Sequence, residues 1–429
     1  MNLAPSMRYN IPVYLRAFPT GRRWTVRRVA IVGMGIVSAI GNDLNTVLAS
    51  LQQGRSGIEL IPERQALGFR SALGGRIKNL AALDVPKRNL RQMGRGSQLA
   101  VHAAQQALAD AGLEPPALQS GRVGVVMGNV GNAQDIYGQC RIFYDKSMKL
   151  GGTAMQRAMT DSVSANLSVL LGTQGYALTL SAACATGAAT IGFSSQFIRG
   201  GLQDLCICGG TQEDSWEGVC HFDALQAFSR REDEPTKASR PFDKYRDGLV
   251  PSAGAGVVIL EELDHARRRG ARIYAELLGF AMNSDGYDMT IPSGEGSRRC
   301  MQLALEDAGI MPEQVDYINA HASSTPVGDV AEAQAIAAVF GKGPLVSSTK
   351  SMTGHELGAA GSNELIYCLL MMQHHFAAPN INVDEIDPRC GGINLVANQA
   401  RDGRIDVAAS NSFGFGGVNT CIVVKRYPA

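Results

Sequence analysis

The chain has 429 residues, 45% hydrophobic and 18% charged, a balance that supports a large buried core and excludes a disordered chain or a disulfide scaffold. Its formal net charge of +1 gives no whole-chain reason to bind nucleic acid. Nine cysteines spread along the length, with no secretory leader, read as reduced thiols of a cytoplasmic protein, and the longest apolar runs, such as LIYCLLMM at 365–372, fall short of the roughly 18 residues a membrane span needs.

Residues 1–25 read as a basic N-terminal extension. Residues 1–28 hold six arginines and no acidic residue, as an organelle transit peptide does, but they lack a clean amphipathic period, and an upstream extension or an early start codon explains them as well. Folding is expected to begin near Val26. The next stretch, VAIVGMGIVSAIG at 29–41, imitates the opening of a dinucleotide-binding motif. Ser38 stands at its third position and no acid follows at the expected distance, so it reads as a first strand and a tight turn.

Two later segments look alike. ALADAGLEPPALQSGRVGVVMG from Ala107 and ALEDAGIMPEQVDYINAH from Ala304 each read as a helix end, a glycine stop, a proline turn and a buried strand. Nearly continuous apolar strands between alanine-rich helices point to an αβα layered unit built twice. The same echo joins TLSAACATGAATIG at 179–192 to PLVSSTKSMTGHELGAAGSNELIYCLL, which places Cys184 and His355 in corresponding turns. In open α/β sheets such turns at the carboxyl ends of strands are where ligands bind.

Cys184 sits where a strand gives way to a train of small residues, with Gly187 and five alanines nearby. A thiol at a helix start meets the positive end of the helix dipole and free N–H groups, so its pKa is expected to fall and its thiolate to serve as a nucleophile. A buried structural thiol is the alternative, and Cys206 and Cys208, inside an apolar strand pattern, receive that reading. Further on, His321 ends VDYINA before a hydroxyl-rich turn, and STKSMTGHELGAAG carries Lys350 and His355. Two histidines and a lysine at the exits of buried strands make a catalytic cluster. Neither histidine has a second ligand at short spacing, which argues against a metal. Ser347 and Lys350 fit a Ser-x-x-Lys pattern whose companion motifs are absent. At the end, NSFGFGGVNTCIVV sets Gly414, Gly416 and Gly417 around two phenylalanines before a final strand, a backbone suited to approach a ligand and bind an oxyanion.

Taken in order and spacing, SAACATG, NAHASSTPVGD, SSTKSMTGHELGAAG and NSFGFGGVN resemble the elongating β-ketoacyl-[acyl-carrier-protein] synthases. The likeness runs from about residue 26 to 429, includes ASRPFDKYRDGLV, and in WEGVCHFDALQAFS is closer to synthase I than to synthase II. It implies a thiolase-like α/β fold of five layers, αβαβα, from two related halves, 26–268 with the nucleophile and 269–429 with the histidines and lysine, normally as a homodimer.

The resemblance also implies roles. Cys184 takes an acyl group from acyl carrier protein, and His321 and His355 assist malonyl decarboxylation and condensation. Lys350 pairs with Glu364 beside them, and Asp329 and Glu332 are supporting acids. The N–H groups of Cys184 and Phe415 form the oxyanion hole, and Ser323 and Thr325 bind the phosphopantetheine arm. Lys87, Arg88 and Arg91 contact the acidic carrier, and Gly131 forms a wall of the acyl pocket. No metal or other cofactor is implied. Where the family commonly has Gly and Thr after the first histidine, this chain has Ala322 and Ser323, and the extra methyl is expected to alter that turn. Rival readings are a CoA-dependent thiolase, suggested by RCGG around Cys390 but opposed by His321 where thiolases have asparagine, and a non-catalytic ketosynthase-like subunit, opposed by the retained catalytic set.

Overall fold

The computed structural model describes residues 26–146 and 149–428; the basic extension 1–25 lies outside the described residues. Eleven strands form one mixed sheet: β1 (Val29–Ser38), β2 (Val123–Asn129), β3 (Ala177–Leu180), β4 (Leu205–Gln212), β5 (Gly254–Glu262), β6 (Ala275–Ser284), β7 (Tyr317–Asn319), β8 (Leu345–Ser347), β9 (Asn394–Leu395), β10 (Val407–Gly414) and β11 (Val418–Arg426). Their spatial order is β9-β8-β7-β10-β11-β6-β1-β5-β4-β2-β3.

The order repeats itself. In β1-β5-β4-β2-β3 the successive pairings are antiparallel, antiparallel, parallel, parallel, and β6-β11-β10-β7-β8 follows the same sequence of pairings. Among the described residues two strand-paired positions, Ala30 with Glu276 and Ile31 with Ala275, join the half-sheets. Six helices follow the same duplication: α1 (Arg95–Asp110), α2 (Ser162–Leu171), α3 (Thr186–Arg199), α4 (Glu295–Ala308), α5 (Gly328–Phe340) and α6 (Ala360–His374). The look-alike segments are the ends of α1 and α4, stopped by left-handed Gly112 (φ 61°) and Gly309 (φ 66°), which close a helix without a Cβ penalty.

Alternating side chains explain the layering. On β1, Ala30 and Val32 pack with α1 and α2, while Val29 and Ile31 face α3 and α6. A third core joins α4 and α5 to the outer face of the second half-sheet. Both faces of each half-sheet are therefore buried, giving αβαβα layers with α3 and α6 in the middle. Those two helices meet backbone to backbone: a Cβ on Gly187 would stand 2.7 Å from the nitrogen of Ser362, and one on Gly361 2.7 Å from that of Ala188. The stretch that imitates a dinucleotide motif is β1 and a turn closed by mutual hydrogen bonds of Ser38 and Gly41.

Candidate active site

Cys184 lies in the turn between β3 and α3, 8% exposed. Ala183 before it is left-handed (φ 48°), a conformation that costs a non-glycine residue energy and clusters at functional sites. Thr186 holds this turn: its hydroxyl accepts the N–H of Ala182 at 2.7 Å and donates to the carbonyl of Ala183 at 2.6 Å. The sequence reading missed this clamp, whose signal is a Ser/Thr hydroxyl two residues past the cysteine.

The backbone N–H groups of Phe415 and of Cys184 itself point at the thiol. The glycine-rich end of β10 makes this possible, because Gly414 lies so close that a Cβ there would stand 3.1 Å from the nitrogen of Cys184. The expected lowering of the thiol pKa is overturned. Burial pushes it up to about 11, and Lys350 and the two N–H groups only partly offset that. Val219, Phe228, Leu249 and Leu357 enclose the sulfur in an apolar cluster, and desolvation of a thiolate outweighs a helix terminus there.

Cys184, His321 and His355 line one cavity of about 430 Å³, with Phe222, Phe413 and Phe415 among its walls. The imidazole rings meet edge to face, centroids 5.2 Å apart. His355 is 2% exposed, and the N–H of Leu357 donates to its Nδ1 at 3.3 Å. That bond assigns the proton to Nε2, and this buried Nε2 has no protein partner. Both imidazoles have pKa values well below the usual histidine value, first through burial and then through the Lys350 charge. Neutral imidazoles able to donate an N–H therefore face the cavity.

Around this trio the structure places the remaining sequence-derived residues unevenly. Lys350 and Glu364 form a buried ion pair behind the cavity wall, and burial raises Glu364 to about 7 despite the ammonium. Glu332 accepts the N–H groups of His321 at 2.8 Å and Ala322 at 2.6 Å, fixing the histidine turn. Asp329 accepts those of Phe242 at 3.0 Å and Thr325 at 3.1 Å. Ser323 and Thr325 line the cavity. In the turn after His321 the left-handed residue is Ser324 (φ 71°), not Ala322, whose methyl packs in the core of the second half.

Lys87, Arg88 and Arg91 are exposed, on and just after the short helix Lys87–Leu90, and do not line the cavity. Gly131 is exposed, with open space around it, and also lies outside the cavity lining of this chain. Its φ of 147° belongs to a backbone that side chains rarely adopt. Cys390 is buried against Asp329 away from the cavity, as Cys206 and Cys208 are in β4. Like Thr186, Arg246 had no sequence-derived role: buried, it donates to the carbonyls of Thr325 at 2.9 Å and Pro326 at 2.7 Å and pairs with Asp387. It ties the hydroxyl loop to the opposite wall, which Asp247 to Leu249 form.

Comparison with known proteins gives a consistent picture. Residues 26–266 match the family model "Beta-ketoacyl synthase, N-terminal domain", and residues 274–384 match the corresponding C-terminal domain. The chain is 44% identical over 407 residues to 3-oxoacyl-[acyl-carrier-protein] synthase 1 of Haemophilus influenzae, covering 94% of this chain and 100% of the relative. A crystal structure of a β-ketoacyl synthase from Burkholderia phymatum superposes with a TM-score of 0.90 at 38% identity, covering 94% of this chain and 100% of that one. A type II polyketide ketosynthase bound to its acyl-carrier protein superposes at 0.86 and 31% identity, with the same coverage.

Proposed function

The chain belongs to the β-ketoacyl synthase family, and from that premise we propose how its own residues carry out the family's condensation. It is an acyltransferase that joins an acyl-enzyme thioester to malonyl-acyl carrier protein, giving 3-oxoacyl-acyl carrier protein, carbon dioxide and free carrier in fatty acid biosynthesis. The observation that carries the residue assignment is the single cavity shared by Cys184, His321 and His355.

In the first half-reaction the Cys184 sulfur attacks the acyl thioester, the carrier's carbon–sulfur bond breaks, and the thiol proton passes to the departing pantetheine sulfur. The tetrahedral oxyanion takes the N–H groups of Cys184 and Phe415. Malonyl carrier then enters along Ser323 and Thr325. Loss of carbon dioxide leaves an enolate, whose oxygen accepts the N–H groups of His321 and His355. The enolate carbon attacks the acyl carbonyl, a carbon–carbon bond forms as the carbon–sulfur bond to Cys184 breaks, and the expelled sulfur takes a proton from the solvent.

Two imidazole and two backbone N–H groups cover both developing charges, which supports a reaction needing neither metal nor cofactor. Lys350, Glu364, Asp329 and Glu332 hold these groups in place. The carrier docks on Lys87, Arg88 and Arg91, the enzyme works as a homodimer with Gly131 bordering the acyl pocket, and its location is cytoplasmic. Nine free thiols support that location. No helix among the described residues is long and apolar enough to cross a membrane.

Incubation with malonyl carrier protein and acyl carriers of graded length, with CoA esters as controls, tests the reading. Condensation is expected with carrier substrates, and Cys184→Gln should still release carbon dioxide from malonyl carrier. Loss of carbon dioxide release in step with condensation in that variant would contradict the division of labour between thiol and histidines.

A further inference from the structure

Glu356 directly follows His355, is 1% exposed, and has no part in the mechanism above. Its carboxyl points into the junction of the two halves. Asn363 of α6 donates to Oε1 at 2.8 Å. The Tyr367 hydroxyl lies 3.2 Å from Oε2 and 3.0 Å from Oγ of Ser38 at the end of β1. Gly254, opening β5, closes the pocket, since a Cβ there would stand 3.0 Å from Oε1. Among the described residues no basic side chain pairs with this carboxyl.

Tyr367 has one hydroxyl proton and two acceptors, Ser38 and Glu356. If the carboxyl carries a proton, Glu356 donates to Tyr367 and Tyr367 to Ser38, a hydrogen-bonded chain. An ionised Glu356 would be a buried charge with no cation beside it, the costlier arrangement. Burial pushes this carboxyl up to about 8, although its hydrogen-bond donors pull it down. The titratable groups facing it are Glu364 and Tyr367 from α6 and the His355 ring on its own turn; β1 and β5 present only Ser38 and Gly254.

These hydrogen bonds anchor the one residue between His355 and Leu357, and it is the Leu357 N–H that holds His355 Nδ1. We propose that Glu356 is a positioning residue for His355, a neutral carboxylic acid whose hydrogen bonds to Asn363 and Tyr367, and through Tyr367 to Ser38, keep Leu357 against Nδ1 and Nε2–H turned to the cavity. This rests on the role given to His355 above. Ionisation would loosen the turn and set a negative charge beside the donor, weakening its hold on the enolate oxygen.

The test uses full-length Cys184→Gln protein, so that thiol chemistry is absent, and follows carbon dioxide release from malonyl carrier between pH 6.5 and 9.5. Adding Glu356→Leu is expected to lower the rate about tenfold or more. Glu356→Gln, which keeps a donor and an acceptor without a charge, should restore it to within about threefold at pH 7. The parent rate should fall as pH rises through about 8, and the Gln variant should lose that fall. Equal rates for the Leu variant and its parent, or the same alkaline fall in parent and Gln variant, would overturn the proposal. If Glu356→Leu does not fold, the Gln pH profile decides alone. His355→Ala separates the two ideas: unimpaired carbon dioxide release there would sink the role of His355 itself, whereas its loss together with a fully active Leu variant would sink only that of Glu356.

Discussion

Cys184 and His355 occupy equivalent turns of the two halves, one between β3 and α3, the other between β8 and the start of α6. The duplication thus delivers a nucleophile from one repeat and a hydrogen-bond donor from the other into the same cavity. Each turn lies at the carboxyl end of a parallel strand, where α/β sheets collect ligand groups.

The thiol of that pair should behave as a buried, protonated one. With its pKa pushed up to about 11, the thiolate fraction at pH 7 is on the order of 10⁻⁴. Alkylation of Cys184 by iodoacetamide should accelerate nearly tenfold per pH unit from 7 to 10. A plateau near neutrality, read by intact mass, would show a low-pKa thiolate instead. Cys184→Ser should form no acyl enzyme, because among the described residues no side chain hydrogen-bonds to position 184 to act as its base.

Lys350 and Glu364 should be more costly to separate than to remove together. Lys350→Met strands a carboxyl in the core and should destabilise by about 3–5 kcal/mol, with much of that regained in Lys350→Met/Glu364→Gln. The pH dependence has a definite sign. Glu364 is raised above its unfolded value, to about 7, so its stabilising effect is complete at low pH and is lost as pH rises through 7. Urea unfolding of Lys350→Met at pH 5.5 and pH 8 should therefore give the lower stability at pH 8. The reverse order would mean the carboxyl is not the stranded group.

Exposed Lys87, Arg88 and Arg91 should act on association with an acidic carrier. Charge reversal at Arg88 and Arg91 is expected to raise KM for carrier-bound substrates with little change for pantetheine thioesters, and high salt should mimic it. Equal effects on both substrate types would exclude docking there.

For Gly131 the backbone complicates the experiment. Its φ of 147° strains any side chain, so Gly131→Ala must accompany Gly131→Ile to measure that cost separately. The open space around it in one chain means that a pocket wall here requires the second protomer. If it is such a wall, Gly131→Ile should slow elongation of medium and long acyl carriers more than short ones, beyond any change in the Ala variant. A uniform drop across lengths in both variants would reduce the position to a turn glycine.

Much of this protein was legible in its sequence. Glycine stops after alanine-rich helices, repeated before continuous apolar strands, exposed the duplicated αβα unit, because helix ends and strand burial leave local patterns. The exits of those strands then located Cys184, His321, Lys350 and His355. What the tertiary structure decided are quantities summed over distant chain segments. The Cys184 pKa rises because Val219, Phe228, Leu249 and Leu357 desolvate the sulfur, against a local helix-dipole argument that pointed downward. The tautomer of His355 depends on how a turn is held, and the hydrogen bonds behind that turn reach from Tyr367 to Ser38, 329 residues apart. Desolvation and hydrogen-bond partnership belong to the assembled neighbourhood, so no window of the sequence contains them.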